Sequence, residues 1–188
     1  MKKKGFTIIE LLVVISIIAI LSGIVLIDYR SGQQAFALQR TASKLAQDIR
    51  RAQEMAMSAG ECTFCDLSCS PNGVPSGYMV VFTSNPNYSI FADDGDKVFD
   101  SGDCNILGNP IPFEKGIVID ALSSDLTFEP FLSITFTPPD PIVTICHGSA
   151  SCSVSSGWIR LCIEGSDCLD PSNTKTININ TVGRIEID

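Results

Sequence analysis

The first third of the chain opens with an unusually long apolar stretch. Residues 6–27 form a run of 22 positions in which apolar side chains dominate. Five polar or small residues interrupt it: Thr7, Glu10, Ser16, Ser22 and Gly23. At about 1.5 Å per residue, a helix of this length spans roughly 33 Å, which matches the hydrocarbon core of a bilayer. The run therefore predicts a membrane-spanning helix.

The next segment has the periodicity of an amphipathic helix. Apolar positions recur there at alternating spacings of four and three, at Leu38, Ala42, Leu45, Ile49, Ala52, Ala56 and Ala59. This spacing places them on one stripe of a helix, and Gly60 is a natural C-cap. Because alanine is small and frequent in the stripe, a β-sheet can approach the helix closely. We expect residues 28–60 to continue the first helix and to pack on the remainder of the protein.

Beyond Gly60 the apolar period shortens toward that of β-strands. Eight short segments are rich in β-branched and aromatic residues and are separated by Pro, Gly, Asn and Asp. They are Val80–Thr83, Tyr88–Ala92, Gly116–Asp120, Leu132–Thr137, Pro141–Cys146, Trp158–Ile163, Lys175–Thr181 and Arg184–Asp188. Their length and spacing favour antiparallel sheets over βαβ units. The predicted fold class is α+β, with a long N-terminal helix packed on a small head of antiparallel β-sheets at residues 61–188.

The basic residues at the start of the chain predict its orientation in a membrane. Lys2, Lys3 and Lys4 precede the apolar run, so the positive-inside rule places the N-terminus in the cytoplasm. A secretory signal would have a shorter apolar run and a small-residue cleavage site after it. No Ala-x-Ala site follows residue 27. We expect a single-pass protein of the inner membrane whose head is periplasmic or extracellular.

Glu10 is out of place in a simple membrane anchor. A carboxylate within an apolar membrane helix costs several kcal/mol unless it is paired, which makes it a candidate functional residue. Cleavage between Gly5 and Phe6 would create a partner, because Phe6 would then carry a free α-amino group. That amine could pair with Glu10 of the same helix or of a neighbouring helix, most strongly in a low dielectric.

The sequence from Lys4 to Ile15 resembles the type IV prepilin processing signature almost residue for residue. The resemblance implies that residues 1–5 are a leader peptide, removed after Gly5 by a prepilin peptidase that also N-methylates Phe6. It further implies assembly through Glu10 with other pilin or pseudopilin subunits. An inner-membrane assembly platform and, before assembly, membrane lipid would be the other partners.

Three further stretches, residues 45–56, 90–103 and 177–187, are similar to the GspH/FimT group of minor pseudopilins and minor pilins. That resemblance implies a head of two small antiparallel sheets packed on the helix. It also implies a structural subunit of a type IV pilus or of a type II secretion pseudopilus. The sequence leaves open which filament it is and whether the subunit is major, minor or at the tip.

Charge bears on a second hypothesis, that the head is a DNA-binding module used in DNA uptake. The chain has a net charge of −8, and without residues 1–5 it has 10 basic and 21 acidic residues. Some FimT-like proteins end in a Gly-Arg-x-Arg pattern that is associated with DNA contact. Here the corresponding residues are Gly183-Arg184-Ile185-Glu186, so an acid replaces the second arginine. An acidic head does not favour binding to nucleic acid.

Five aspartates crowd eleven residues between the second and third predicted strands. They are Asp93, Asp94, Asp96, Asp100 and Asp103, with Gly95 and Gly102 among them. Such a segment suits a solvated turn, and it also offers oxygen ligands for calcium. It is not an EF-hand, because the register of that loop and its terminal Glu are missing. Both interpretations stay open, and no other cofactor is expected.

Eight cysteines are many for a chain of 188 residues. In an exported head, disulfides are favoured over a zinc site, for which Cys-x-x-Cys occurs only once. The spacing predicts two local bridges, Cys146–Cys152 and Cys162–Cys168. The other four cysteines would pair in an order that the sequence does not reveal: Cys62, Cys65, Cys69 and Cys104.

The sequence offers little for catalysis. His147 is the single histidine and lies in a Gly/Ser-rich segment between two cysteines, where we expect a surface loop. No nucleophile elbow, histidine pair or phosphate-binding loop is present. We therefore expect a structural protein and not an enzyme.

Overall fold

One long helix and a set of short strands form the protein. The computed structural model describes residues 5–58, 75–83, 86–100, 102–124, 131–139, 142–147, 152 and 155–188, without the side chains at 25–31, 83, 123–124 and 147. Within these residues α1 (Ile8–Met57) precedes ten strands. The strands are β1 (Gly77–Thr83), β2 (Asn87–Asp93), β3 (Cys104–Asn105), β4 (Ile111–Pro112), β5 (Ile117–Ser124), β6 (Phe131–Thr137), β7 (Ile142–His147), β8 (Ser156–Ile163), β9 (Thr174–Asn180) and β10 (Ile185–Ile187).

Helix α1 has 50 residues, so it is about 75 Å long at 1.5 Å per residue. It ends at Met57, and Ser58 is its C-cap. The Ser58 amide donates to the carbonyl of Glu54 at 2.9 Å, and its hydroxyl donates to the carbonyl of Met55 at 3.0 Å. The prediction that Gly60 caps the helix is therefore wrong: serine satisfies the last carbonyls earlier, and Gly60 itself lies outside the described residues.

The strands form two antiparallel sheets. The first has the order β3-β2-β1-β6-β7, with β4 also paired to β2, and the second has the order β10-β9-β8-β5. Every strand pair is antiparallel, as the short strand spacing predicts. The α+β class and the helix packed on antiparallel sheets are confirmed.

The alanine-rich stripe of α1 forms the centre of the core. Six of its seven predicted members are at most 2% exposed: Leu38, Ala42, Leu45, Ile49, Ala52 and Ala56. Ala59 lies outside the described residues. The stripe contacts strands of both sheets, and it meets large side chains such as Phe82 and Phe136 of the first sheet and Ile177 of the second. Small residues on the helix and large residues on the strands together let the helix lie close to both sheets.

All eight predicted strands are present, although several extend beyond the predicted bounds. Strand β5 continues to Ser124 because a bulge between Ile119 and Ala121 leaves Asp120 out of the pairing with β8. Strands β3 and β4 are not predicted. Each has two residues, too few to show a period, and each pairs with the edge of β2.

Candidate functional site

The N-terminus of α1 is closed by a reciprocal pair of side chains. Thr7 is the N-cap, and its hydroxyl accepts a hydrogen bond from the Glu10 amide at 3.3 Å. In return, Oε2 of Glu10 accepts from the Thr7 amide, also at 3.3 Å. This is a capping box, whose signature is Thr or Ser followed three residues later by Glu or Gln. The sequence carries that signal at Thr7 and Glu10, so Glu10 has a capping role in addition to the predicted charge pairing.

The scissile position predicted from the sequence precedes this cap. Gly5 and Phe6 lie before the first helical residue, in exposed chain without regular structure. The Phe6 side chain is 88% exposed. The carboxylate of Glu10 is thus held against the amide next to Phe6, at the end of α1 where backbone N–H groups favour negative charge.

The N-terminal part of α1 is not covered by the head. Thirteen large apolar side chains between Phe6 and Ile24 are 50–88% exposed. They point in all directions around the helix: Phe6, Ile8, Ile9, Leu11, Leu12, Val13, Val14, Ile15, Ile17, Ile18, Ile20, Leu21 and Ile24. A helix that is apolar on every side is stable in water only when something covers it.

Within the described residues, no helix combines the length and the apolarity required to cross a membrane. The span expected at residues 6–27 therefore remains a prediction.

The acidic turn, defined here as the described residues 93–100 and 102–103, lies between β2 and β3. Asp93 ends β2 and is only 1% exposed, whereas Asp94 and Asp96 are exposed. One carboxylate oxygen from each of these three residues lies within 4.8 Å of the other two. A Cβ atom added to Gly102 would meet the carboxylates of both Asp94 and Asp100. Folding thus brings four of the five predicted aspartates around a small volume.

The fifth aspartate, Asp103, interacts electrostatically with Asp93 and Asp94. Burial raises the pKa of the Asp103 carboxyl to about 6, and the negative charges of Asp93 and Asp94 also raise it. Burial likewise raises the pKa of Asp93, against the hydrogen bond that its Oδ1 accepts from the Lys97 amide at 3.0 Å. Both shifts have the same cause, namely carboxylates withdrawn from water beside other carboxylates.

The backbone of the acidic turn is shaped by its own aspartates. Oδ1 of Asp94 accepts from the amide of Asp96 at 3.3 Å, and Oδ1 of Asp96 accepts from the amide of Val98 at 2.8 Å. Between them Lys97 has a positive φ of 65°, which these side-chain bonds help to hold. The segment is a turn held by its own side chains, with Asp94 and Asp96 exposed and Asp93 buried, and these contacts leave both predicted interpretations of it open.

Two disulfides lie in the described part of the head. The structure pairs Cys146 with Cys152 and Cys162 with Cys168, which are the two pairs that the spacing predicts. Cys104 is also disulfide-bonded. The remaining three cysteines, Cys62, Cys65 and Cys69, lie outside the described residues.

His147 is not a loop residue. It is the last residue of β7, opposite Leu132 of β6. The β-branched run before it continues the pairing one position further than predicted. Its side chain is not described, and no role is assigned to it.

The C-terminal hairpin carries the residues considered for DNA contact. Gly183 turns the chain with a φ of 83°, as the strand–Gly-Arg–strand pattern predicts. The Arg184 guanidinium forms an ion pair with the carboxylate of Glu186. Its positive charge is therefore partly neutralised by the acid that stands in the place of the second arginine.

Comparison with known proteins agrees with the chemistry of the N-terminus. Residues 1–26 match the family described as the prokaryotic N-terminal methylation motif. No match was found among curated proteins or solved structures. The match, together with an uncovered apolar helix on a folded head, supports a type IV pilin-like protein.

Proposed function

We propose that this protein is a structural subunit of a filament, either a type IV pilus or a type II secretion pseudopilus. The observation that carries the proposal is the division of α1 into two parts. The part from Leu38 onward is covered by the protein's own sheets, and the part from Phe6 to Ile24 is bare. In a filament, the bare parts of neighbouring subunits would cover one another, while each head faces outward.

Processing would prepare the bare helix for assembly. Cleavage between Gly5 and Phe6 removes the three leader lysines and leaves a new amine at Phe6, which the same peptidase would methylate. The bond lies ahead of the Thr7 cap in chain that is free of helical hydrogen bonds. A protease needs such extended backbone, so the helix does not have to unwind before cleavage.

Glu10 would then set the register between subunits. Its carboxylate sits beside the position of the new amine, and in a filament it could pair with the amine of a neighbour. The pair would be one favourable point along an otherwise uniform apolar helix, much as a single polar residue fixes register in a coiled coil. Before assembly, the same apolar helix would be held in the inner membrane with its N-terminus in the cytoplasm.

The GspH/FimT subtype is the finer proposal for the head. It is supported by the two antiparallel sheets packed on α1 and by the Gly183-Arg184 hairpin at the C-terminus. The alternative, a DNA-uptake subunit whose head binds DNA, is not favoured, because Arg184 is paired with Glu186 and the chain is acidic.

The experiment that tests this function is N-terminal mass spectrometry of the protein from cells that carry a prepilin peptidase and a filament assembly system. We expect a mature chain that starts at methylated Phe6. Gly5→Leu should block cleavage. Gly23→Leu is the matched control, because a side chain at either glycine meets no other atom within 4 Å. Filaments that contain peptides from residues 1–4 would contradict the proposal.

A further inference from the structure

We propose that the acidic turn between β2 and β3 binds one calcium ion, with the carboxylates of Asp93, Asp94 and Asp96 as its first ligands. Asp100 and Asp103 would complete the acidic shell. This site is separate from the helix that carries the filament role, and its argument does not depend on that role.

The spacing of the carboxylates suits a single ion. Calcium–oxygen distances are about 2.3–2.6 Å, so two oxygens on one ion are at most about 4.6–5.2 Å apart. The oxygens of Asp93, Asp94 and Asp96 lie within 4.8 Å of one another. The three oxygens are therefore close enough to approach one ion with small adjustments of their side chains.

Asp93 gives a second and independent reason. It is 1% exposed, and its Oδ2 atom is buried with no hydrogen-bond donor. The Lys97 amide donates to the other oxygen at 3.0 Å, and the Gly95 amide also interacts with this carboxylate. A buried carboxylate oxygen without a donor costs free energy. A cation bound among the three carboxylates would offset that cost.

Asp103 repeats this signature on the other side of the turn. Its Oδ2 accepts from the Asp100 amide at 2.9 Å, and the Asp94 amide also interacts with the carboxylate, whereas its Oδ1 is buried without a hydrogen bond of ordinary geometry. Two carboxylate oxygens are thus left unsatisfied within one short segment. Solvation explains the exposed aspartates of an ordinary turn, but it does not reach these two atoms.

The ligand chemistry points to calcium among the common cations. The cluster offers oxygen atoms only, and the neighbouring Cys104 is disulfide-bonded, so it supplies no thiolate. Calcium accepts six to eight oxygens in irregular geometry, including backbone carbonyls and water. Magnesium demands a near-ideal octahedron and gives up its water reluctantly. An irregular turn with two exposed carboxylates open to solvent therefore suits calcium better.

Binding would fasten the turn to the first sheet. Phe99 already packs against Phe91 and Phe131, with ring centroids 4.9 and 6.2 Å away. On the same side, the Lys97 carbonyl oxygen lies 3.4 Å from Sγ of Cys146. An ion held by Asp93 at the end of β2 would tie the charged tip of the turn to this packed base.

The test uses the full chain, purified in detergent with its disulfides intact and stripped of metal with a chelator. Thermal unfolding is followed while calcium chloride or magnesium chloride is added at constant ionic strength. We expect calcium to raise Tm by several degrees, with saturation at about 0.1–1 mM, the range of extracellular calcium modules. Magnesium should have little effect. A Tm that calcium does not change, or that both ions change alike, would overturn the proposal.

Two variants and one control locate the ion. Asp94→Asn and Asp96→Asn keep the Oδ1 acceptors that shape the turn, but each removes a charge. Each should weaken calcium binding at least about tenfold, because affinity depends on ligand charge. Glu164→Gln removes one exposed charge on the distant β8 side and should bind calcium as the parent protein does. Equal weakening in all three proteins would show general charge screening and no site.

Discussion

The hydroxyl of Tyr88 in β2 donates a hydrogen bond to the carboxylate of Asp48 on α1, joining the first sheet to the helix through a pair of side chains at the edge of the core. Tyr88 is 2% exposed, and its ring stacks between Phe82 and Phe113. Burial raises the pKa of Tyr88 above its ordinary value, as do the hydrogen bond and charge of Asp48. The phenol therefore stays neutral and keeps its proton for this bond.

Removing the hydroxyl should destabilise the head. We expect Tyr88→Phe to lower the free energy of unfolding by about 1.5–3 kcal/mol, the usual worth of a hydrogen bond to a charged group. Asp48→Asn keeps an acceptor in place and should cost less. Denaturant titration of the purified chain with intact disulfides measures both. A Tyr88→Phe protein as stable as the parent would show that the bond contributes nothing net.

Glu10 has two roles that two substitutions can separate. Glu10→Gln keeps the capping box, since Gln also serves at this position, but it removes the charge. Glu10→Leu removes both. If the carboxylate pairs with a neighbour's amine, both variants should be cleaved after Gly5 and both should enter filaments at least about tenfold less well, because breaking a buried pair costs about 3–5 kcal/mol.

The readout is the ratio of filament-bound to membrane-bound protein. Normal assembly of Glu10→Gln with failure of Glu10→Leu would assign Glu10 to helix capping alone. Normal assembly of both variants would indicate that Glu10 acts in cleavage or in membrane insertion and not in filament register.

The disulfides of the exported head should be measurable in the purified protein. Non-reducing peptide mapping should recover Cys146 linked to Cys152 and Cys162 linked to Cys168, with no free thiol among the eight cysteines. Replacing both Cys162 and Cys168 by serine should cost about 2–3 kcal/mol, because the bridge closes a short loop. Free thiols or bound zinc in the exported protein would contradict this.

The C-terminal hairpin allows a direct test of DNA binding. At physiological salt we expect the protein not to bind duplex DNA measurably, because the chain is acidic and Arg184 is partly neutralised by Glu186. Glu186→Arg would restore a Gly-Arg-x-Arg sequence and should increase binding. Glu164→Arg makes the same change in net charge elsewhere and should increase it less. Tight DNA binding by the parent protein would revive the DNA-uptake hypothesis.

Patterns with several repeats could be predicted from the sequence, and features decided by one or two residues could not. The stripe from Leu38 to Ala56 and the eight longer strands each contain enough positions to show a period. Strand β3 does not, and neither does the helix end at Met57, which is capped by the single residue Ser58. Thr7 and Glu10 did carry a visible capping signature, which the membrane interpretation of the same residues obscured.

The acidic turn shows a second limit of prediction from the sequence. The sequence identifies five aspartates, but it does not show that Asp93 is buried while Asp94 and Asp96 reach solvent. Asp93 is buried because it still belongs to β2, where it lies opposite Gly77 of β1. A side chain at residue 77 would collide with the carbonyl oxygen of Phe136. Burial in this case is a property of strand pairing between distant segments, which local composition does not encode.

The two parts of α1 also place different limits on how the sequence can change. Leu12 is 61% exposed, so replacing it with another apolar residue would change a surface that faces a neighbouring subunit or lipid in the proposed filament. Ala42 is fully buried in the core, so even a modest increase in volume there would strain the packing. One continuous helix can therefore accept other apolar residues at exposed positions such as Leu12, while buried alanines such as Ala42 stay restricted to small residues.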